Sequence, residues 1–337
     1  MATEDVSACR AAIAPVPPGA ARPLWSVMIP TYHCAGYLRE TLTRLLAQDP
    51  GPEAMQIEVV DDCSTHDDPE AVVREIGKGR VAFFRQDRNV GHTRNFDTCL
   101  QRSRGHLVHV LHGDDFVLEG FYDTMRAPFE RHPEIGAAFC RNIFVDEHGR
   151  TIATSRLVQE ERGIVDGWLE RIATRQRLQP PAMVVRRGVY ERLGGFDRRI
   201  LTFGEDWEMW VRIAASYSVF YEPEPLAAYR LNDETSLSGS ALRTGQNMRD
   251  LRTAVRLNAT LLPPARRRRV SRLASANNAL GTIRRSHRIL ETGEVRVPLI
   301  QLREALLTSA SPRVALGAAW LLAHCLWTVM RRGGRTG

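Results

Sequence analysis

Residues 25–48, WSVMIPTYHCAGYLRETLTRLLAQ, decide the fold class of this chain. The run 25–29 is apolar, has the length of a buried strand and ends at Pro30. Leucines then recur at the spacing of one helix face, at Leu38, Leu42, Leu45 and Leu46. A buried strand followed at once by an amphipathic helix is typical of the first unit of an α/β protein.

The same alternation continues outward from this stretch. Helices are predicted after Asp68-Pro69, from Thr93 and over 205–215. Strands are predicted over 57–60, 81–84, 107–111, 137–145, 182–186 and 218–221. The alternation predicts an α/β fold with a mostly parallel sheet flanked by helices. Polar loops then gather at the carboxyl ends of the strands, where open α/β sheets bind ligands.

Three regions follow one another along the chain. Residues 1–23 are rich in Ala and Pro and are predicted to form a disordered tail, and residues 24–235 form the α/β domain. Strand signals vanish after about residue 236, and a helical C-terminal region is expected over 236–337. Its helices are predicted over 241–262, 265–290 and 299–308.

Composition excludes a disordered chain and a disulfide-stapled scaffold. Hydrophobic residues make up 43% of the 337 residues, and charged residues make up 25%. The net charge is +7, and Lys78 is the single lysine, so the basic character comes from arginine. The six cysteines form no CxxC pair, which is typical of reduced thiols in the cytoplasm. Glu4 and Asp5 stand where a secretory signal is positively charged, so no targeting signal is predicted.

The segment 314–330 is apolar and is flanked by arginines. As a helix, its 17 residues span about 25 Å, less than the hydrocarbon core of about 30 Å. It is an interfacial anchor, a marginal span or a docked helix. The arginines at 266–269 form a solvated helix face or, together with this segment, a contact for anionic lipid headgroups. Nucleic-acid binding is not expected, because no recognisable module is present.

Three acidic pairs stand just after or beside predicted strands: Asp61-Asp62, Asp114-Asp115 and Glu205-Asp206. Carboxylate oxygens hold the hard divalent cations that neutralise a diphosphate group. A single pair of this kind is more often a solvated loop acid or a helix cap. Three pairs on one α/β scaffold favour a ligand site.

Five motifs carry a family resemblance: VMIPTYHCAGYLRETLTRLLAQ, EVVDDCST, NVGHTRNFDTCLQRSRGHLVHVLHGDD, LGGFD and GEDWEMWVRIA. In this order they resemble family 2 glycosyltransferases of the GT-A fold, over about residues 24–235. The resemblance implies an inverting enzyme that moves a hexosyl or related sugar from a nucleotide diphosphate to an acceptor hydroxyl.

The resemblance also implies the donor site, residue by residue. Of the first acidic pair, Asp62 is favoured to bind the base edge of the nucleotide, while Asp61 is alternatively a turn residue. Arg94 lies near the nucleotide or, equally, on a solvated helix face. The residues that match nucleotide contacts are Pro30, Thr31, Tyr32, Asp61, Asp62, Arg94 and Asp114.

Asp114 and Asp115 match the metal- and ribose-binding motif of the family, which implies Mn²⁺ or Mg²⁺ as a cofactor. His112 stands where this motif often has its first aspartate, so one carboxylate is missing from the pattern. The substitution leaves open whether His112 contacts the ligand or the metal.

Asp206 matches the catalytic base, and Glu205 matches a residue that orients the base or touches the acceptor. An exposed carboxylate at Asp206 is expected to be ionised near neutral pH. Helix capping is the structural alternative for both residues. Arg230 is carried over as a diphosphate contact.

The predicted reaction takes a nucleotide-diphosphate sugar, with a UDP-sugar favoured, and a carbohydrate or lipid-linked acceptor. It serves surface polysaccharide or glycolipid synthesis in the cytoplasm, with peripheral attachment to the inner face of the membrane. One alternative is a nucleotidyltransferase that makes nucleotide sugars, which the lack of a glycine-rich loop after the first strand disfavours. The other is a non-catalytic sugar-nucleotide-binding or membrane-associated module.

Overall fold

The computed structural model describes residues 9–231 and 237–333, which divide into two compact units. The sheet unit comprises 9–168, 177–198 and 216–231. The helical unit comprises 169–176, 199–215 and the described residues beyond 236. Each unit has its own hydrophobic core.

The sheet unit is built on one mixed sheet. Its strands are β1 (Trp25–Thr31), β2 (Met55–Asp61), β3 (Ala82–Arg85), β4 (Leu107–Val110), β5 (Phe116–Val117), β6 (Ile135–Val145), β7 (Thr151–Thr154), β8 (Gly163–Ile164), β9 (Met183–Arg186) and β10 (Ser218–Arg230). The strand order is β3-β2-β1-β4-β9-β6-β10-β5, with β7 beside β6 and β8 beside β10. Its helices are α1 (Ala35–Leu46), α2 (Pro69–Gly77), α3 (His92–Arg102), α4 (Phe121–Arg131) and α6 (Arg187–Leu193).

The α/β fold class predicted from the sequence is confirmed. Strands β3, β2, β1 and β4 run parallel, as predicted. Beyond them, β9 lies antiparallel to both β4 and β6, so the second half of the sheet is mixed. Hydrophobic runs identify buried strands but carry no information on strand direction, which is why the sequence predicted a more uniform sheet.

The core of the sheet unit grows from the stretch 25–48. All seven residues of β1 are buried, as expected of a central strand covered on both faces. Val27 and Ile29 share one core cluster with Leu38, Leu42 and Leu45 of α1. Burying a side chain of this size contributes about 1.5–3 kcal/mol, so this contact holds α1 against the central strand of the sheet.

The helical unit contains α7 (Glu205–Ala214), α8 (Leu237–Thr244), α9 (Gln246–Leu261), α10 (Pro264–Glu291), α11 (Arg296–Thr308) and α12 (Pro312–Gly333), and most of α5 (Trp168–Thr174). The inner face of α12 packs in the core with α10 and α11, through Val314, Ala318, Leu321 and Cys325. Among the described residues, α12 is the helix long and apolar enough to cross a membrane, over Pro312–Arg331 with a mean hydropathy of 1.4.

The predicted disordered tail differs from the structure where the structure describes it. Ala11 and Ile13 are buried, and the carbonyl of Ala11 accepts a hydrogen bond from the amide of Gly195 at 2.8 Å. Arg10 pairs with Asp197 at 2.9 Å. The two apolar side chains and the buried carboxylate partner hold residues 9–14 against the sheet unit despite the Ala/Pro-rich composition.

The predicted domain boundary at 235 also differs from the structure. Residues 169–176 and 199–215 belong to the helical unit although they precede that boundary. The loop before α7 is held by α9, because Asp250 accepts hydrogen bonds from the amide and hydroxyl of Thr202, each at 2.8 Å. Sequence order alone does not reveal such a contact.

Candidate functional site

The first two acidic pairs lie at the carboxyl edge of the parallel strands. Thr31 and Asp61 stand opposite each other at the ends of β1 and β2. The amide of Asp62 donates to the carbonyl of Thr31 at 2.9 Å, and the amide of Gly113 donates to that of Pro30 at 3.1 Å. The loops after β1, β2 and β4 are therefore joined into one surface, as the sequence predicted.

Gly113 allows these loops to approach so closely. A Cβ atom at this position would lie 2.6 Å from Cγ2 of Thr31 and 2.9 Å from Sγ of Cys34. Carbon atoms do not approach to this distance, so a side chain at 113 forces the loops apart. Burial, with the nearby Asp114 adding to it, raises the pKa of the Cys34 thiol far above its ordinary value. Cys34 is therefore a packing residue here.

Asp61 is fully buried and is surrounded by donors. Its carboxylate accepts hydrogen bonds from the hydroxyl of Ser64 at 2.5 Å, the amide of Ser64 at 3.0 Å and Nε of Arg85 at 2.9 Å. The hydroxyl of Thr31 adds a fourth donor at 3.3 Å. This arrangement agrees with the turn role considered for Asp61. Arg85 was missed from the sequence, since it comes from β3 and belongs to no motif.

Asp62 holds the start of α3. Its two carboxylate oxygens accept the amides of Val90 and Gly91 at 2.7 and 3.0 Å. Burial raises the pKa of Asp62 against the opposing effect of these two amides. Each carboxylate oxygen has a second lone pair, so binding of a base edge by Asp62 stays a prediction.

The other predicted nucleotide contacts differ in exposure. Tyr32 is 49% exposed at the mouth of this surface, whereas Pro30 and Thr31 are buried strand residues that shape it from beneath. Arg94 lies on the exposed face of α3, and the neighbouring Asn95 is buried with its amide on the carbonyl of Val60 at 2.8 Å. Nucleotide contact by Arg94 stays a prediction.

Asp114 and Asp115 form a compact cluster with His112. Each of the three offers a ligand atom, and these atoms lie within 4.8 Å of one another. The His112 ring stacks on Phe96 with centroids 4.9 Å apart, which fixes its orientation. The sequence predicted the two aspartates as metal ligands and left the role of His112 open.

Asp115 fits a cation. It is 1% exposed, and its Oδ1 accepts the amide of Arg230 at 2.8 Å. Its Oδ2 is buried and has no hydrogen-bond partner. Burial and the neighbouring Asp114 raise the pKa of Asp115 well above its ordinary value. A buried carboxylate oxygen without a donor is costly, and a divalent cation held by Asp114, Asp115 and His112 would remove that cost.

A diphosphate contact by Arg230 stays a prediction, and the donors of its side chain are engaged within the protein. The side chain of Arg230 is 1% exposed and pairs with Glu40 at 2.7 Å. Its Nε donates to the carbonyl of Asp114, and its Nη1 donates to those of Asp146 and Glu147. The buried guanidinium therefore stabilises the Asp114–Asp115 loop and the turn after β6.

Asp206 and Glu205 lie in the helical unit, in the first turn of α7. Gly204 precedes them with a φ of 94°, a conformation that favours glycine. The expectation of an exposed Asp206 is wrong, because the residue is 8% exposed. Trp207, fully buried beside it, donates Nε1 to the carbonyl of Ile172 at 2.7 Å and fixes this turn against α5.

The buried position of Asp206 changes its pKa. Burial and then the neighbouring Glu205 raise its pKa to about 8. Three donors oppose the shift. The amide of Trp207 donates to Oδ1 at 2.7 Å, Nε2 of Gln176 donates to Oδ2 at 2.5 Å, and the third donor is the main-chain amide of Asp206 itself. A carboxylate with a pKa near the working pH exchanges protons efficiently. Gln176 was missed from the sequence, as no motif contains it.

The LGGFD motif has a packing role. A Cβ at Gly195 would lie 2.1 Å from Oδ1 of Asp97 in α3, and the amide of Phe196 donates to that oxygen at 3.1 Å. Arg198 completes the contact with Asp97 at 2.8 Å. The motif therefore anchors α3, and Asp62 binds the loop that directly precedes this helix.

Comparison with known proteins identifies the family of this chain. The chain matches the model of the family described as Glycosyl transferase family 2 over residues 26–194. It is similar to an uncharacterized protein of Mycobacterium tuberculosis, with 28% identity over 68% of this chain and 74% of that protein. It is also similar to the succinoglycan biosynthesis protein ExoU of Rhizobium meliloti, with 28% identity over 64% of each chain.

Solved structures share the fold. The structure of S. aureus TarS 1-349 in complex with UDP-GlcNAc matches with a TM-score of 0.64 at 16% identity, covering 90% of this chain and 88% of that one. The complex of the same protein with UDP matches with a TM-score of 0.61, over 92% and 91%. The resemblance inferred from the five motifs is thereby confirmed.

Proposed function

Because this chain belongs to glycosyl transferase family 2, we propose that it is a metal-dependent, inverting transferase that moves a sugar from a nucleotide diphosphate to an acceptor hydroxyl. The observation that carries the proposal is the cluster of His112, Asp114 and Asp115 beside the buried Asp61–Asp62 loop. It combines a cation site with the surface expected to receive a nucleotide.

The donor is proposed to be a UDP-sugar. TarS, a protein of similar fold, is described in complexes with UDP-GlcNAc and with UDP. In this chain Tyr32 offers an exposed ring, Asp62 the base-edge carboxylate and Asp114 a ribose contact. A divalent cation, Mn²⁺ or Mg²⁺, would be held by Asp114 and Asp115 and would neutralise the diphosphate.

Asp206 is proposed to take the proton of the acceptor hydroxyl as that hydroxyl attacks the anomeric carbon. The raised pKa, about 8, lets the carboxylate hold this proton near neutral pH. Glu205 is proposed to orient the base or to touch the acceptor, since it lies beside Asp206 in the same helical turn. Inversion needs a single carboxylate in this role.

The acceptor is proposed to be a carbohydrate or lipid-linked glycan at the inner face of the membrane. The relative ExoU is described as a succinoglycan biosynthesis protein, which supports surface polysaccharide synthesis. The outer face of α12, defined by Leu316, Trp320, Leu326, Trp327 and Met330, is 46–75% exposed. Since its inner face is packed in the core, α12 is proposed to lie flat in the interface rather than to cross it.

A thermal-shift panel tests the donor and the metal together. Melting temperatures are measured with UDP, GDP, dTDP and UDP-sugars, each with and without Mn²⁺. Stabilisation of about 1.4 kcal/mol is expected for the cognate nucleotide at ten times Kd, and only with the metal. Equal stabilisation by every nucleotide, or stabilisation unaffected by a chelator, contradicts the proposal. Binding with no sugar transfer or donor hydrolysis favours the non-catalytic module.

A further inference from the structure

Gln176 contacts the carboxylate of Asp206 directly. Its Nε2 donates to Oδ2 of Asp206 at 2.5 Å, while the main-chain amide of Trp207 donates to Oδ1 at 2.7 Å. The two oxygens are thus held by donors from two parts of the helical unit. This pair of contacts fixes the rotation of the carboxylate, which the short helical turn alone does not do.

The segment that carries Gln176 is anchored independently of that contact. The carbonyl of Ile172 accepts Nε1 of Trp207, and the carbonyl of Thr174 accepts Nδ2 of Asn277 at 3.0 Å. Glu170 pairs with Arg266 and Arg269 of α10. The Gln176 side chain therefore projects from a fixed backbone.

We infer that Gln176 is a positioning residue of the transfer reaction, which orients the carboxylate of Asp206 and favours its charged form. The inference rests on the proposed role of Asp206 as the base. A neutral amide is suited to this task, because it stabilises the anion without placing a cation beside the group that must accept a proton.

None of the charged groups described around α7 takes the place of Gln176 in favouring the ionised form of Asp206. Glu205 raises the pKa of Asp206, so it opposes ionisation. Glu208 pairs with Arg212 of the same helix, at 2.9 Å. On α9, which packs against α7, Asp250 accepts donors from Thr202, and on α5 Glu170 pairs with the two arginines of α10. Among the described contacts of Asp206, Gln176 is the side chain that lowers its pKa.

The test compares Gln176→Leu and Gln176→Glu with Asn277→Leu. The control removes the hydrogen bond to Thr174, which holds the same segment but does not touch Asp206. The pH profile of kcat is measured as UDP release from UDP-GlcNAc with Mn²⁺. Gln176→Leu is expected to move the acid limb up by about one pH unit, with about tenfold lower turnover at pH 7. Gln176→Glu is expected to move it further, and KM for the donor stays unchanged.

A second readout needs no donor. The melting-temperature difference between Asp206→Asn and its parent is followed against pH, with and without Gln176→Leu. The midpoint of this difference is expected at higher pH when Gln176 is replaced. An unmoved pH profile and midpoint, or an equal shift in Asn277→Leu, overturns the inference. If Asp206→Asn itself keeps wild-type turnover, the proposed role of Asp206 has failed instead.

Discussion

Asp115 in the sheet unit and Asp206 in the helical unit are both buried aspartates, yet they are surrounded differently. Asp115 has one main-chain donor on Oδ1 and no hydrogen-bond partner on Oδ2, with a second carboxylate and an imidazole nearby. Asp206 has a donor on each oxygen and a neighbouring glutamate. The first arrangement supports the proposed cation ligand and the second the proposed proton acceptor, so burial alone does not define the role of an acid.

Replacing Asp206, the proposed proton acceptor, has the largest expected effect. Asp206→Asn keeps the shape and removes the basicity, so turnover is expected to fall by about 10²-fold or more. Donor and metal affinity stay nearly unchanged, because the loss falls on the transition state. Steady-state kinetics measures the fall in turnover, and titration of donor binding measures the unchanged affinity. Glu205→Gln is the milder companion variant, and near-wild-type turnover in folded Asp206→Asn rejects the role.

Replacing the cation ligands is expected to act on binding. Asp115→Asn and Asp114→Asn should each weaken metal-dependent binding of UDP by about tenfold or more, because a charged oxygen ligand is lost. Calorimetric titration of UDP with and without Mn²⁺ measures the loss. Asp123→Asn is the matched control, since that side chain is 93% exposed on α4. The assignment is wrong if both variants bind UDP as tightly as wild type while still requiring the metal.

The pH dependence of stability sharpens the contrast further. The folded-state pKa of Asp206, about 8, lies above the value of about 3.9 in an unfolded chain. The folded protein therefore binds more protons between these values, and the cost of ionising Asp206 grows as pH rises from about 4 to about 8. Asp206→Asn should raise the melting temperature by several degrees at pH 8 and little at pH 5. Calorimetric scans at several pH values measure this difference, and a pH-independent one contradicts the raised pKa.

The smallest expected effect is on membrane binding by α12. It tests whether this binding is independent of Asp115 and Asp206. Trp320→Ser with Trp327→Ser should lower the fraction bound to anionic liposomes about threefold at low salt, with catalysis in solution unchanged. Flotation measures the bound fraction, and Ile152→Ser, a similarly exposed side chain on β7, is the control. No binding of the wild type at low salt excludes the anchor, and resistance to high salt and carbonate indicates a true span.

The position of the two aspartates proposed to hold a cation was predictable from sequence, but the environment of the proposed base was not. Asp61 ends β2, Asp62 follows it, and Asp114 and Asp115 lie in the loop after β4. The ends of parallel strands meet at one edge of a sheet. The burial of Asp206 depends on Trp207, Ile172 and the fold of the helical unit, none of which a helix-start pattern reveals. Gln176 lies 30 residues from Asp206 and Arg85 lies 24 from Asp61, so no local spacing connects them.

Arg230 shows a second limit of prediction from sequence, because its position was predicted but its hydrogen-bond partners were not. Its position matched a family site, yet Glu40 and three main-chain carbonyls occupy its guanidinium. A motif match identifies where a side chain begins but not whether its donors are available. Availability depends on partners up to 190 residues away.

The N-terminal residues 9–14 bear on how a shortened protein should be designed for crystallisation or production. They contact Gly195 and Asp197, the same loop bonds Asp97 of α3, and the loop before α3 is held by Asp62. A protein trimmed to begin at residue 24 keeps every motif but exposes the surfaces that Ala11 and Ile13 cover. Fragment boundaries are therefore better placed before residue 9, and an affinity tag there needs a flexible spacer to leave these contacts undisturbed.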